Sequence, residues 1–163
     1  MLEEQLLDPT RHDRQAFFSG VPELDDYLRR FAAQQSKKGV AVVRVLVDTD
    51  APSTILGFYS LSAAQIDVSQ FDPSTQHKLP RYPVPCFRMG RLATHSEHRG
   101  HGLGRLLIGS AVERCLEARK HVAAYALVVD AKGVDAKNFY AHYGFVACSD
   151  HPMTLYLPLA HSH

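Results

Sequence analysis

Six residues, Arg99-Gly100-His101-Gly102-Leu103-Gly104, stand between two apolar patterns of different period, and this junction restricts the fold more than any other stretch. Before it, Cys86 to Ala93 reads as a strand. After it, Leu103, Leu106, Leu107, Ala111, Cys115 and Leu116 recur at helical spacing. A strand that enters a helix through clustered glycines can bring its backbone close to a bulky group and adopt dihedrals closed to other residues. The first N–H groups of such a helix lack intrahelical acceptors, and the helix dipole favours an anion in front of them. Arg99 and Arg105 would add charge-assisted bonds to that anion. The spacing is neither the dinucleotide fingerprint nor a nucleoside-triphosphate loop, since the x-x step and a following Gly-Lys-Ser/Thr are both missing. A glycine turn with no ligand remains the competing reading on physics alone.

The rest of the chain supplies a sheet and helices around this junction. Residues 3–7 read as a first strand. Leu24, Tyr27, Leu28 and Phe31 give one apolar helix face running to about Ser36, with Asp25 and Asp26 favouring its start. Val40 to Val47 and Ile55 to Ala63 predict an antiparallel hairpin. The stretch 65–85, with Pro73, Pro80, Pro83 and Pro85, is read as a long loop. A strand over Ala123–Val129, a helix over Asp135–His142 and strands near Phe145–Cys148 and Thr154–Leu157 complete an α/β (α+β) fold. The expectation is a single domain, 1–163, with a mixed, mostly antiparallel sheet flanked by helices.

Composition excludes several classes. An apolar fraction of 45% with 21% charged residues belongs to an ordinary globular chain, and no run is long and apolar enough to span a membrane. The acidic start MLEEQLLD does not resemble a signal peptide, which makes the cytoplasm the expected location. Cys86, Cys115 and Cys148 are too scattered for a disulfide framework or a metal knuckle, and are expected to be buried thiols. His95, His98 and His101 show no metal-ligand pattern, so no metal is expected. Net charge is only +1, but between Lys78 and Arg105 six basic residues face one acid, Glu97. That span suits an anionic ligand or a nucleic-acid backbone, although a solvated basic face would look the same.

Arg99, Gly102 and Gly104, between a strand and a long helix, resemble the pyrophosphate-binding motif of the GNAT N-acetyltransferase superfamily. Asn138-Phe139-Tyr140-Ala141-His142-Tyr143-Gly144-Phe145 is similar to that family's closing helix and turn. The resemblance implies acetyl-CoA as cosubstrate. Backbone from Leu92, Ala93 and Thr94 would serve its acyl arm, and Arg99, Gly100, His101, Gly102, Leu103, Gly104 and Arg105 its pyrophosphate. Asn138 and Tyr143 would lie beside it. Tyr140 would be the general acid that protonates the leaving thiolate, two groups of comparable pKa; an aromatic ring that merely fills space is the alternative. No general base stands out, although His95 and Glu97 lie close in sequence to the acyl site.

The resemblance extends further. Phe18-Ser19-Gly20 with Leu24-Asp25-Asp26-Tyr27-Leu28, Leu56 to Leu61, and Phe87-Arg88-Met89-Gly90-Arg91-Leu92-Ala93 are similar to toxins of type II toxin–antitoxin pairs. Those toxins acetylate the α-amino group of charged tRNA and block translation. The likeness implies a ribbon-helix-helix antitoxin, a homodimer, and DNA contact only through the antitoxin complex. Arg81, Arg88 and Arg91 are the candidates for tRNA phosphates. Thr94 and Arg99 depart from the residues common in that subgroup, which are Asp and Gln. Two other readings stay open at this point: an acetyltransferase of a protein or small amine, and a non-enzymatic antitoxin-binding component of a repressor complex.

Overall fold

The computed structural model describes residues 1–98 and 100–159. Seven strands form one mixed, mostly antiparallel sheet in the order β1-β2-β3-β4-β5-β7-β6. The strands are β1 (Leu2–Leu6), β2 (Val42–Asp48), β3 (Gly57–Ile66), β4 (Val84–Thr94), β5 (Ala126–Asp130), β6 (Val146–Ala147) and β7 (Thr154–Pro158). The backbone condenses into two compact units. One combines Met1–Ser62 with Gly90–Val112; the other combines Ala63–Met89 with the chain from Glu113 onward.

In the first unit, β1, β2 and β3 pair antiparallel, with Leu6 opposite Arg44 and Val45 opposite Phe58. The alternation of β2 sends Val43, Val45 and Val47 inward, where they meet Phe17, Leu28 and Phe58. Helical residues cover this face: α1 (Pro22–Asp26), a π-helical segment over Tyr27–Phe31, and α2 (Ala32–Lys37). Pro22 fits the first turn because its missing N–H has no acceptor there. The buried Asp25 carboxylate accepts the Ser19 N–H at 2.9 Å and so ties the preceding turn to the helix. The apolar spacing predicts one continuous helix, and the residues are indeed helical throughout. The π turn has no signature in the spacing, because a single wider turn shifts the apolar face without abolishing it.

In the second unit, β4 and β5 run parallel from Cys86 opposite Ala126 to Met89 opposite Val129, and β7 pairs antiparallel with both β5 and β6. Its core gathers Phe71, Val84, Cys86, Val128, Cys148 and Tyr156. The stretch read as a loop over 65–85 holds a 3-10 turn (Val68–Gln70) and α3 (Pro73–Gln76). Each is capped by an aspartate: Asp67 accepts from the Ser69 N–H and Asp72 from the Thr75 N–H. Asp72 also accepts the Tyr156 hydroxyl at 2.9 Å, anchoring the segment on β7.

The long helix α4 (Leu103–Ala118) follows the glycine turn as expected. Leu103, Leu107, Ala111 and Cys115 are buried at four-residue spacing, joined by Ile108, whereas Leu106 is 47% exposed. Leu106 lies off the line those residues define, and Ile108 fills the inward position instead. The last helix is α5 (Val134–His142). All three cysteines are buried free thiols; burial pushes Cys86 up to about 11 and Cys115 up to about 12. Among the described residues, no helix is long and apolar enough to cross a membrane.

Candidate active site

The glycine turn is built as its sequence requires. Gly100 and Gly102 sit at φ +82° and +73°, where an L side chain is strained, and a Cβ at either would meet nothing within 4 Å. The turn is therefore both left-handed and open. The Leu106 N–H donates to the Gly102 carbonyl at 3.1 Å, so the regular helix starts here, and the N–H groups of Leu103, Gly104 and Arg105 precede its first repeating bonds. Arg105 is exposed on the first turn, and His101 is exposed beside it. Arg99 lies outside the described residues.

The approach to this turn is held on its own unit. The His95 N–H donates to the Leu56 carbonyl and the Ser96 N–H to the Phe18 carbonyl, both at 2.8 Å. The His95 ring meets Phe17 edge-on at 5.6 Å and is followed by His98 at 5.6 Å. The Glu97 N–H donates to His95 Nδ1 at 3.3 Å, which leaves Nε2 as the protonated nitrogen of the neutral ring. Gly57 makes room for this layout, since a Cβ there would stand 2.8 Å from Leu107 Cδ1 and 3.0 Å from the Ala93 carbonyl oxygen.

Strand β4 continues five residues past Met89, its last partner on β5, and ends at Thr94. Leu92, Ala93 and Thr94 occupy this extension. Backbone released from one ladder is available to a ligand that presents its own amide or carbonyl groups. Arg91 lies just before them. Its N–H donates to Ser60 Oγ at 3.1 Å, and its guanidinium lies over the Tyr27 ring, 4.0 Å from the centroid.

Tyr140 belongs to the second unit. Its ring is buried against Phe139 and Phe145, each at 5.5 Å between centroids. The Tyr140 carbonyl accepts from the N–H groups of Tyr143 and Phe145, closing α5 into the Gly144 turn at φ +94°. Burial, and then the charge of Asp130, push the phenol up to about 12, so it keeps its proton through the neutral range. Asp130, at the end of β5, accepts the Thr154 hydroxyl at 2.8 Å and pairs with Arg88. Sequence reasoning missed Asp130, because a lone carboxylate ending a strand carries no motif.

The remaining candidates are placed variously. Asn138 is exposed on α5, and Tyr143 is half-buried with its ring 5.1 Å from Phe139. Arg81 is exposed in the proline-rich stretch, whereas the Arg88 guanidinium is engaged by Asp130. Among the described residues, no cluster of His, Cys, Asp or Glu has the arrangement to hold a metal.

Comparison with known proteins accounts for this arrangement. The GNAT acetyltransferase domain model matches residues 31–147. A tRNA-acetylating toxin of Mycobacterium tuberculosis is 32% identical over 145 residues, which cover 89% of this chain and 85% of the relative. The crystal structure of a tyrosine-to-phenylalanine variant of KacT superposes with a TM-score of 0.92 at 25% identity, covering 97% of this chain and 95% of that one. AtaTR bound with acetyl-CoA superposes with a TM-score of 0.84 at 25% identity, covering 97% and 94%. The open glycine turn before α4, the extended end of β4 and the matched domain together make this chain a member of the GNAT family, an acetyl-CoA-dependent N-acetyltransferase.

Proposed function

We propose that the chain moves acetyl from acetyl-CoA to the α-amino group of aminoacyl-tRNA, and so blocks translation. The observation that carries the acceptor assignment is the 32% identity to a tRNA-acetylating toxin along 89% of the chain. The turn at Gly100 and Gly102, with Arg99, Arg105 and the N–H groups of Leu103 and Gly104, holds the pyrophosphate. The backbone of Leu92, Ala93 and Thr94 orients the acyl arm, and one of its N–H groups stabilises the tetrahedral oxyanion. The neutral amine attacks the thioester carbonyl; as the C–S bond breaks Tyr140 gives its proton to the departing thiolate, and the proton shed by the acetylated nitrogen passes through water and restores the phenol. A phenol held near 12 keeps that proton at neutral pH, and is a weaker acid than the comparable pKa of a free tyrosine would make it. Asn138 and Tyr143, on the same helix as Tyr140 or at its end, flank the coenzyme, and Arg81, Arg88 and Arg91 meet phosphates of the acceptor. The catalytic protein works as one domain in the cytoplasm. It pairs as a homodimer, is neutralised by a ribbon-helix-helix antitoxin, and meets DNA only through that partner.

The test is transfer of radiolabelled acetyl from acetyl-CoA to a mixture of charged and uncharged tRNA by the purified protein. Label confined to charged tRNA, and released with the amino acid by mild base, is the expected result. Acetyl-CoA binding without label on any tRNA would redirect the search to protein or small amines.

A further inference from the structure

Of the three arginines offered to the acceptor, one is held ready for an anion in a way the others are not. Arg88 is engaged by Asp130, and Arg81 stands exposed on the proline-rich stretch. Arg91 is fixed at both ends. Its backbone N–H is held by Ser60 Oγ at 3.1 Å, and Ser60 is itself buried. Its guanidinium rests 4.0 Å from the centroid of Tyr27, a ring 3% exposed. That ring is in turn immobilised, because the Tyr27 hydroxyl donates to Gln35 Oε1 at 2.9 Å and the ring stacks on Phe58 with 13° between planes. Gly90 has little room for a side chain, since a Cβ would lie 3.2 Å from Ser60 Oγ.

The half-buried guanidinium has no carboxylate within ion-pair reach among the described residues. An aromatic face satisfies its charge but none of its N–H donors. A planar fork of donors, partly desolvated and held on a ring, is suited to a bidentate oxyanion. It also stands on β4 immediately before Leu92, the start of the backbone assigned to the acyl arm. In an aminoacyl-tRNA the phosphate nearest the reacting amine is the one on the 5′ oxygen of the terminal nucleotide.

We infer that Arg91, poised on Tyr27, binds that terminal phosphodiester and so selects an acceptor whose amine stands beside a nucleotide phosphate. Tyr27 is the positioning residue. The inference rests on the aminoacyl-tRNA reading and specifies how that acceptor is recognised. It also predicts which acceptors fail to exploit the interaction: amines that carry no phosphate, including an aminoacyl nucleoside.

The experiment measures acetylation of charged tRNA and of an unphosphorylated aminoacyl nucleoside over a range of salt concentrations, by the wild type and by Arg91→Ala, Arg91→Lys, Tyr27→Phe and Tyr27→Leu. With charged tRNA, Arg91→Ala is expected to raise KM by about tenfold to a hundredfold, the scale of removing one charge-assisted hydrogen-bonded pair. The slope of log KM against log salt should fall by about 0.7, the amount expected when one fewer phosphate of a single strand is neutralised. The rate with the aminoacyl nucleoside, which offers no phosphate, should fall by a smaller factor than the rate with charged tRNA. Arg91→Lys should keep the salt slope with a smaller rise in KM. Tyr27→Phe keeps the ring but loses the tie to Gln35, so it should raise KM for charged tRNA less than Tyr27→Leu, which should move it towards that of Arg91→Ala. An unchanged salt slope in Arg91→Ala, or an equal drop in rate on both acceptors, overturns the phosphate role and makes Arg91 a structural cation. A wild type that labels no charged tRNA overturns the acceptor reading itself, an outcome distinct from failure of Arg91 alone.

Discussion

At the scale of single residues, Tyr140 shows how burial moves a phenol away from its ordinary value. In water its phenol would begin to ionise near pH 10. Enclosed by Phe139 and Phe145 and facing the charge of Asp130, it stays protonated to about 12. Tyr140→Phe keeps the ring packing and removes the proton, so kcat should fall by about a hundredfold to ten-thousandfold while the affinity for acetyl-CoA holds. Stopped assays of turnover beside equilibrium binding check this. The sign of the pH dependence follows from the raised value: the acid is intact at neutral pH and is lost as pH climbs towards 12. A rate limit from Tyr140 should therefore lie only on the alkaline side and be absent from the variant. The same shift makes folding less favourable as pH rises from about 10, where the unfolded phenol ionises first. The resemblance of Asn138–Phe145 to a family motif singled out Tyr140 but not Asp130, whose charge reaches the phenol only in the folded chain.

At the scale of elements, the junction of β4, turn and α4 was legible because two apolar periods meet at clustered glycines, and the hairpin of β2 and β3 because Val40 to Val47 is dense in β-branched residues and a turn follows it. Less was legible where side chains cap backbone. Asp72-Pro73-Ser74-Thr75 is an N-cap followed by proline at the first helical position, yet proline content alone suggested a loop. The π turn over Tyr27–Phe31 was not legible at all, since one wider turn leaves the apolar spacing in place. Within that turn Arg29 donates to the Phe17 carbonyl at 2.9 Å. The fit of β3 against α4 is equally invisible in one dimension. Gly57→Ala would press a methyl group on Leu107 and on the Ala93 carbonyl, so it should cost about 1–3 kcal/mol. A lower Tm, together with a raised KM for acetyl-CoA from a displaced Ala93, is the expected pair of readouts.

At the scale of the whole molecule, the chain passes between its two compact units inside β3, β4 and α4. Each unit is thus assembled from distant stretches. Composition and periodicity predicted α/β elements and a mixed sheet, but they hold no information on which stretches condense together, because that depends on long-range pairing. Fragments cut between Met89 and Gly90 are each expected to lack cooperative unfolding, as read by circular dichroism, since neither contains a complete unit. A cooperative transition in either fragment would show that local packing suffices.

Strand β5 becomes an interior strand only when β7, at Thr154–Pro158, lies along it, and Tyr140 itself comes after more than four fifths of the chain. During synthesis the ribosome thus delivers the glycine turn before Tyr140, and the strand that completes the second unit almost last. On the proposed reading, a chain that stops short of Tyr140 carries the turn without the acid, so the charged tRNAs consumed in making it would meet no general acid.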